Sequence, residues 1–203
     1  SVPPAMSLST FAELKTALAS WVNRSNLTTS LGDFITLSEA KINRRLRVSE
    51  METALASTAI SSGTITRPAD LAAIKAIWVT GDNQRTLEPK TLEYIQRFSS
   101  LSTVPQFYAW STTGLVFYPS SGSVQGVYYA KVPALSDSNT TNWLLTANPD
   151  LYLWAGLEQA AFFIKDDNEA AKWSAKADGL IQELNDRSMA NQFSGGPLVA
   201  RAR

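Results

Sequence analysis

Three of the carboxylates in the stretch NPDLYLWAGLEQAAFFIKDDNEAAKW at residues 148–173 invite a chemical reading: Asp166 and Asp167 side by side, and Glu158 two turns earlier in an apolar run. Two acids can cleave a glycan when they face each other across the sugar, several ångströms apart and in unlike surroundings. Adjacent residues at a helix junction point in different directions, and a helix start favours Asp as a cap. The pair therefore reads first as a cap and turn. Glu158 has the greater chemical interest, because burial among apolar side chains raises a carboxyl pKa. It also supplies, with Gln159, the polar edge that such a helix needs.

The remaining chemistry is narrow. The chain has no Cys and no His, which excludes disulfides, thiolates, zinc sites and every Ser-His or Cys-His nucleophile. Acid–base work would fall to carboxylates, Lys or Tyr. The segment KINRRLR places Lys41, Arg44 and Arg45 close together at helical spacing. They form either a subunit or partner interface or a solvated face paired with Glu39 and Glu50. Lys plus Arg and Asp plus Glu both number 18, a formal net charge of zero. That balance favours a protein over a nucleic acid as partner and leaves self-association unopposed. SSGS at 120–123 and the SGG of the tail are not phosphate loops, since neither opens a helix with the required lysine. Trp78, Trp110 and Tyr128 could form a saccharide platform, though they equally suit a small β core. No catalytic, cofactor or metal residue is assigned.

The elements that would hold these residues follow from periodicity. A first helix is expected over 9–24, with Thr10 and Glu13 at capping-box spacing and Phe11, Leu14, Leu18, Trp21 and Val22 on one face. A second is expected over 31–54, buried through Leu31, Phe34, Ile35, Ile42 and Leu46. From about residue 57 the period shortens to runs rich in Ile, Val, Thr, Tyr and Trp, punctuated at Gly63, Gly81-Asp82-Asn83, Thr113-Gly114 and Ser121-Gly122. Phe107–Ser111 and Leu115–Tyr118 read as a hairpin, and KTLEYIQRF at 90–98 as a short helix. PALSDSNTTNW (133–143) is a polar connector. Asn148 as N-cap, Pro149 and Asp150 then open a third helix that runs to Ile164. A fourth follows the acidic turn, with Ala170, Trp173, Ala177, Leu180, Ile181 and Leu184 as its stripe. So short a break makes the third and fourth antiparallel neighbours.

The fold class expected is α+β: a four-helix core interrupted by a small antiparallel β module, with an extended C-terminal arm. The divisions are 1–56 and 133–187 for the helices, 57–132 for the β module and 188–203 for the arm. The start, SVPPAMSLST, lacks the pattern of a signal peptide, and residues 151–164 are too short and lack the basic flanks of a membrane span. A soluble protein made in a cytosol is expected. Tyr152, Trp154, Phe162 and Phe163 point several ways around the third helix, and a helix apolar all round must be covered on most sides. The other helices can cover part, and a neighbouring subunit the rest. FSGGPLVARAR has too little apolar content to fold alone, and Gly195-Gly196 loosens it. Such an arm is expected to be held by a partner.

Three stretches together resemble the head–tail adaptor proteins of tailed phages, of the tail-tubular-protein-A type. They are SLSTFAELKTALASWVNRSN, DFITLSEAKINRRLRVSEME and NWLLTANPDLYLWAGLEQAAFFIKDDNEAAKW, and the likeness spans most of residues 7–187. The resemblance implies a structural virion protein of the head–tail neck, assembled in the host cytoplasm. It would form a homo-oligomeric ring, a dodecamer, that joins the portal to a nozzle or tail-tube protein and extends the DNA channel without specific DNA binding. No membrane, cofactor or catalytic motif comes with it. On this reading Phe193, Leu198, Val199, Arg201 and Arg203 of the arm would meet the portal, and Lys41, Arg44 and Arg45 a subunit or portal surface. The alternative is a virion-associated cell-wall glycan hydrolase using Glu158 or Asp166 with a second carboxylate.

Overall fold

A computed structural model describes residues 8–81, 85–97 and 104–193. These described residues are mixed α and β, with six α-helices and two sheets among them. They divide into two compact units, one of helices from residues 8–48 and 132–193, the other of strands from 49–131.

In the helical unit α1 spans Phe11–Val22 and opens on a full capping box. The Glu13 amide donates to Thr10 Oγ1 at 3.3 Å, and the Thr10 amide to Glu13 Oε2 at 3.0 Å. Asn23 closes it in the left-handed region, its amide donating to the Ala19 carbonyl. Helix α2 spans Leu31–Arg45 and so ends well short of residue 54. Leu46 turns extended, and Asn185 of the last helix takes over the end: it accepts from the Arg47 amide at 2.7 Å and donates to the Arg45 carbonyl at 3.0 Å. The helix formers in EMETALAS are overridden because Glu52–Ala59 finds a strand partner far along the chain.

A short helix α4, Trp143–Ala147, stands unexpectedly between the connector and the third helix. Asn142 caps it, accepting from the Leu145 amide at 2.8 Å. Asn148, expected to cap the next helix with its side chain, makes no such bond and instead ends α4 through its amide. Helix α5 spans Pro149–Phe163 and α6 Asp167–Phe193, which carries the helix past Arg187 into the stretch expected to be arm.

Helix α5 lies between α1, α2 and α6, with α4 against it as well. These three flank one another around it. α1 meets α2, α2 is ion-paired to α6, and Trp21 of α1 meets Trp173 of α6 edge-on at 5.8 Å. Leu151 through Ala161 are accordingly buried or half-buried. Gly156 lets α1 approach, since a Cβ there would come within 2.8 Å of Leu18. Covering an all-apolar helix thus needs no second chain except at its end, where Phe162 and Phe163 remain more than half exposed. Trp21, expected in the core, is also exposed.

In the β unit, β1 (Glu52–Ala59), β7 (Ser123–Ala130) and β3 (Leu71–Val79) form one antiparallel sheet in that order. The other runs β2 (Thr64–Thr66), β6 (Gly114–Tyr118), β5 (Phe107–Trp110), β4 (Glu88–Pro89), with α3 (Leu92–Gln96) leading from β4 to its parallel partner β5. The expected β5–β6 hairpin forms, registered Phe107↔Tyr118 through Trp110↔Leu115. Both sheets give apolar residues to one core, including Ile77 and Val124 from the first and Ile65, Tyr108, Leu115 and Phe117 from the second. Gly126 sits mid-β7 where a Cβ would strike the Ala76 carbonyl. Gly126→Ala must push β3 away, and is expected to cost about 1–3 kcal/mol, read as a lowered denaturation midpoint.

Candidate functional site

The sequence-predicted acids separate cleanly. Asp166 accepts from the Glu169 amide at 3.1 Å and caps α6, so the acidic pair is a helix junction. Just before it, Lys165 is left-handed with φ 60°. The Lys165 amide reaches the Phe162 carbonyl and the Asp166 amide the Ala161 carbonyl, the double closure that usually carries glycine. Lys165→Gly is expected to raise stability by about 1 kcal/mol by removing the Cβ penalty, seen as a higher melting temperature.

Glu158, which could have served as the polar edge of its helix, is buried and committed. Its Oε2 accepts from Lys41 Nζ at 2.6 Å. Lys41, only 7% exposed, lies 2.7 Å from Asp178 Oδ1 and donates to Ser174 at 3.3 Å. Arg45 Nη1 holds the other Asp178 oxygen at 2.7 Å. The partners anticipated for the basic cluster, Glu39 and Glu50, are therefore replaced by Glu158 and Asp178. Burial works to raise the Asp178 pKa, but the Lys41 and Arg45 contacts outweigh it and hold the carboxyl below its usual range. Lys41 belongs to the packing of α2 on α5 and α6, whereas Arg44 and Arg45 stay exposed.

A second buried network went unread in the sequence. Glu39 Oε1 accepts from the Leu135 amide at 2.8 Å and from the Tyr152 hydroxyl at 3.2 Å. Asn142 Nδ2 donates to that hydroxyl and to the Pro133 carbonyl, both at 2.7 Å. Burial pushes Glu39 up despite the opposing bonds from Leu135 and Tyr152. Burial, reinforced by the Glu39 charge, raises Tyr152 far above the ordinary phenol range, so it stays a donor. The only sequence signal was two-sided: Tyr and Glu on apolar helix faces, without spacing to pair them.

The saccharide platform does not assemble. Tyr128 is buried and donates to Asp70 at 3.1 Å, Trp78 lies in the same three-stranded sheet opposite Gln125, and Trp110 belongs to the other sheet. Phe193 is the last residue of α6, while Leu198, Val199, Arg201 and Arg203 lie outside the described residues. Among the described residues no cluster of carboxylates could hold a metal, and no helix is long and apolar enough to cross a membrane.

What is left is a chain whose buried acids serve packing, and its sequence matches the SU10 adaptor protein family over residues 9–201. The chain belongs to that family. A search of curated proteins found no match. The SU10 adaptor assignment supports a phage structural adaptor, a virion component that meets portal and tail proteins, in agreement with the broader resemblance. The family named is the SU10 adaptor and not the tail-tubular-protein-A type.

Proposed function

We propose that this SU10-family adaptor is a ring-forming structural protein that joins the portal of the phage head to the tail and extends the DNA channel. The family match, covering residues 9–201, carries this reading. Large exposed apolar residues on the helical unit, Trp21, Leu37, Phe162, Phe163 and Met189, support it as surfaces for assembly. The C-terminal arm is the natural portal contact: its low apolar content suits a segment held by a partner, and many identical arms add avidity. Ser188 is buried and α6 runs to Phe193, so the arm is better taken as 194–203 than from 188.

Native mass measurement of the protein mixed with its portal tests the proposal. Several copies per portal ring are expected, and a chain lacking 194–203 should keep its melting temperature yet fail to join. A wild-type chain that stays monomeric beside the portal overturns the ring. Glycan turnover abolished by Glu158→Gln would replace it with a hydrolase.

A further inference from the structure

A cavity of about 300 Å³ opens on the helical unit among α2, α5 and α6. Leu37, Lys41, Arg44, Arg45, Gln159 and Ser174 line it, and Glu158 lies at its base. The charges at the base cancel, Lys41 and Arg45 against Glu158 and Asp178. Lys41 is already held by hydrogen bonds to Glu158 and Ser174 and by its ion pair with Asp178, so its charge is answered within the chain. Arg44 is different: it is exposed at the rim and makes no ion pair among the described residues. Arg45 spends a single nitrogen on Asp178. The opening thus carries one uncompensated cation above a neutral base.

Apolar surface adjoins it. Leu37 is 53% exposed and Phe163 57%, and the Phe163 ring lies 5.5 Å from Phe34. Phe34 and Leu37 are neighbours one turn apart on α2, as are Gln159 and Phe163 on α5. A volume at the small end of ligand sites, with polar walls, suits a single inserted side chain better than a small molecule. Its complement is a carboxylate flanked by an apolar group.

We propose that this cavity seats an acidic side chain of a second copy of the chain, with an apolar neighbour resting on Leu37 and Phe163. The inference rests on the ring reading above. Charge complementarity selects the occupant. In a chain of zero net charge, a cation left over on one face is matched by acids elsewhere, and Asp167, Glu183 and Asp186 on α6 are exposed without an ion pair among the described residues. A contact between unlike surfaces is heterologous, the kind that closes rings.

The chain has no cysteine, so Leu37→Cys creates a single thiol for a photoactivatable cross-linker, used on the full chain in assembled particles. Dimer-mass products joining residue 37 to an acid-bearing segment of the same sequence are expected. Arg44→Glu should cut their yield at least tenfold at an unchanged melting temperature, and Arg44→Lys should retain most of it. Gln159→Cys repeats the measurement should Leu37→Cys fail to fold. Cross-links only to portal or tail chains, to DNA, or none between copies, overturn the seat. Copy number per neck separates the two ideas: one copy defeats the ring, whereas several copies without this cross-link defeat only the seat.

Discussion

Lys41→Ala is expected to destabilise the helical unit by about 3–5 kcal/mol, the range for breaking a buried ion pair by removing one partner. Glu158 is the reason. Its side chain is almost wholly buried and its hydrogen bond from Lys41, at 2.6 Å, would be lost. Asp178 is more exposed and keeps Arg45, so it suffers less. If the cost comes from a stranded charge and not from the pair's own worth, replacing both members should recover most of it. Lys41→Met with Glu158→Leu, of similar volume and apolar, is expected to fall within about 1 kcal/mol of wild type or above it. Urea denaturation of the two single variants and the double closes the cycle. Asp178 adds an acid dependence. Its folded pKa is depressed, so its stabilisation is fully present above the unfolded value near 3.9 and fades as pH falls through the folded one. Equal losses in the single and double variants would show that Glu158 does not depend on Lys41.

Much of this arrangement was readable along the chain because its signals are local. Thr10 and Glu13 announce the start of α1 three residues apart, and the capping box is present. Asp166 announces the start of α6 in the same way. The β5–β6 hairpin was marked by Thr113-Gly114 between alternating apolar runs, and its register follows. Where the reading failed, the deciding partner was distant. Residues 52–54, expected to end the second helix, instead open β1 because β7, some seventy positions on, pairs with them. The same holds for the basic cluster. The acids expected nearby in sequence, Glu39 and Glu50, give way to acids of α5 and α6, through contacts 117 residues apart and more. The apolar helix α5 shows a different limit: hydrophobicity on every side states that a helix must be covered, not by which chain. Here α1, α2 and α6 of its own chain do most of it, and only Phe162 and Phe163 are left over.

Glu39 makes the second large prediction, with the opposite dependence on pH. Glu39→Ala would strand the Leu135 amide and the Tyr152 hydroxyl in a buried setting. Each uncompensated donor costs about 1–3 kcal/mol, so a loss of about 2–6 kcal/mol is expected for the two. Glu39→Gln keeps an acceptor oxygen where both donors aim and removes the charge that burial penalises, so its cost at neutral pH should be below about 1 kcal/mol. Because the folded pKa is raised, native Glu39 binds its proton more tightly than the unfolded chain does. Its contribution is therefore greatest below the unfolded value near 4.3 and is lost as pH rises through the folded one. Glu39→Gln should abolish that decline, so the stability difference between variant and wild type should shift in favour of Gln as pH is raised across this window. Denaturation at a series of pH values reads this directly. A difference that stays flat with pH would mean that Glu39 titrates alike in the folded and unfolded chain, and one that shifts against Gln would mean that its charge is stabilised in place. Hydrogen exchange at the Leu135 amide supplies the local readout: Glu39→Ala should expose it, Glu39→Gln should protect it, and only a network that pins residues 132–142 to α2 and α5 predicts that split.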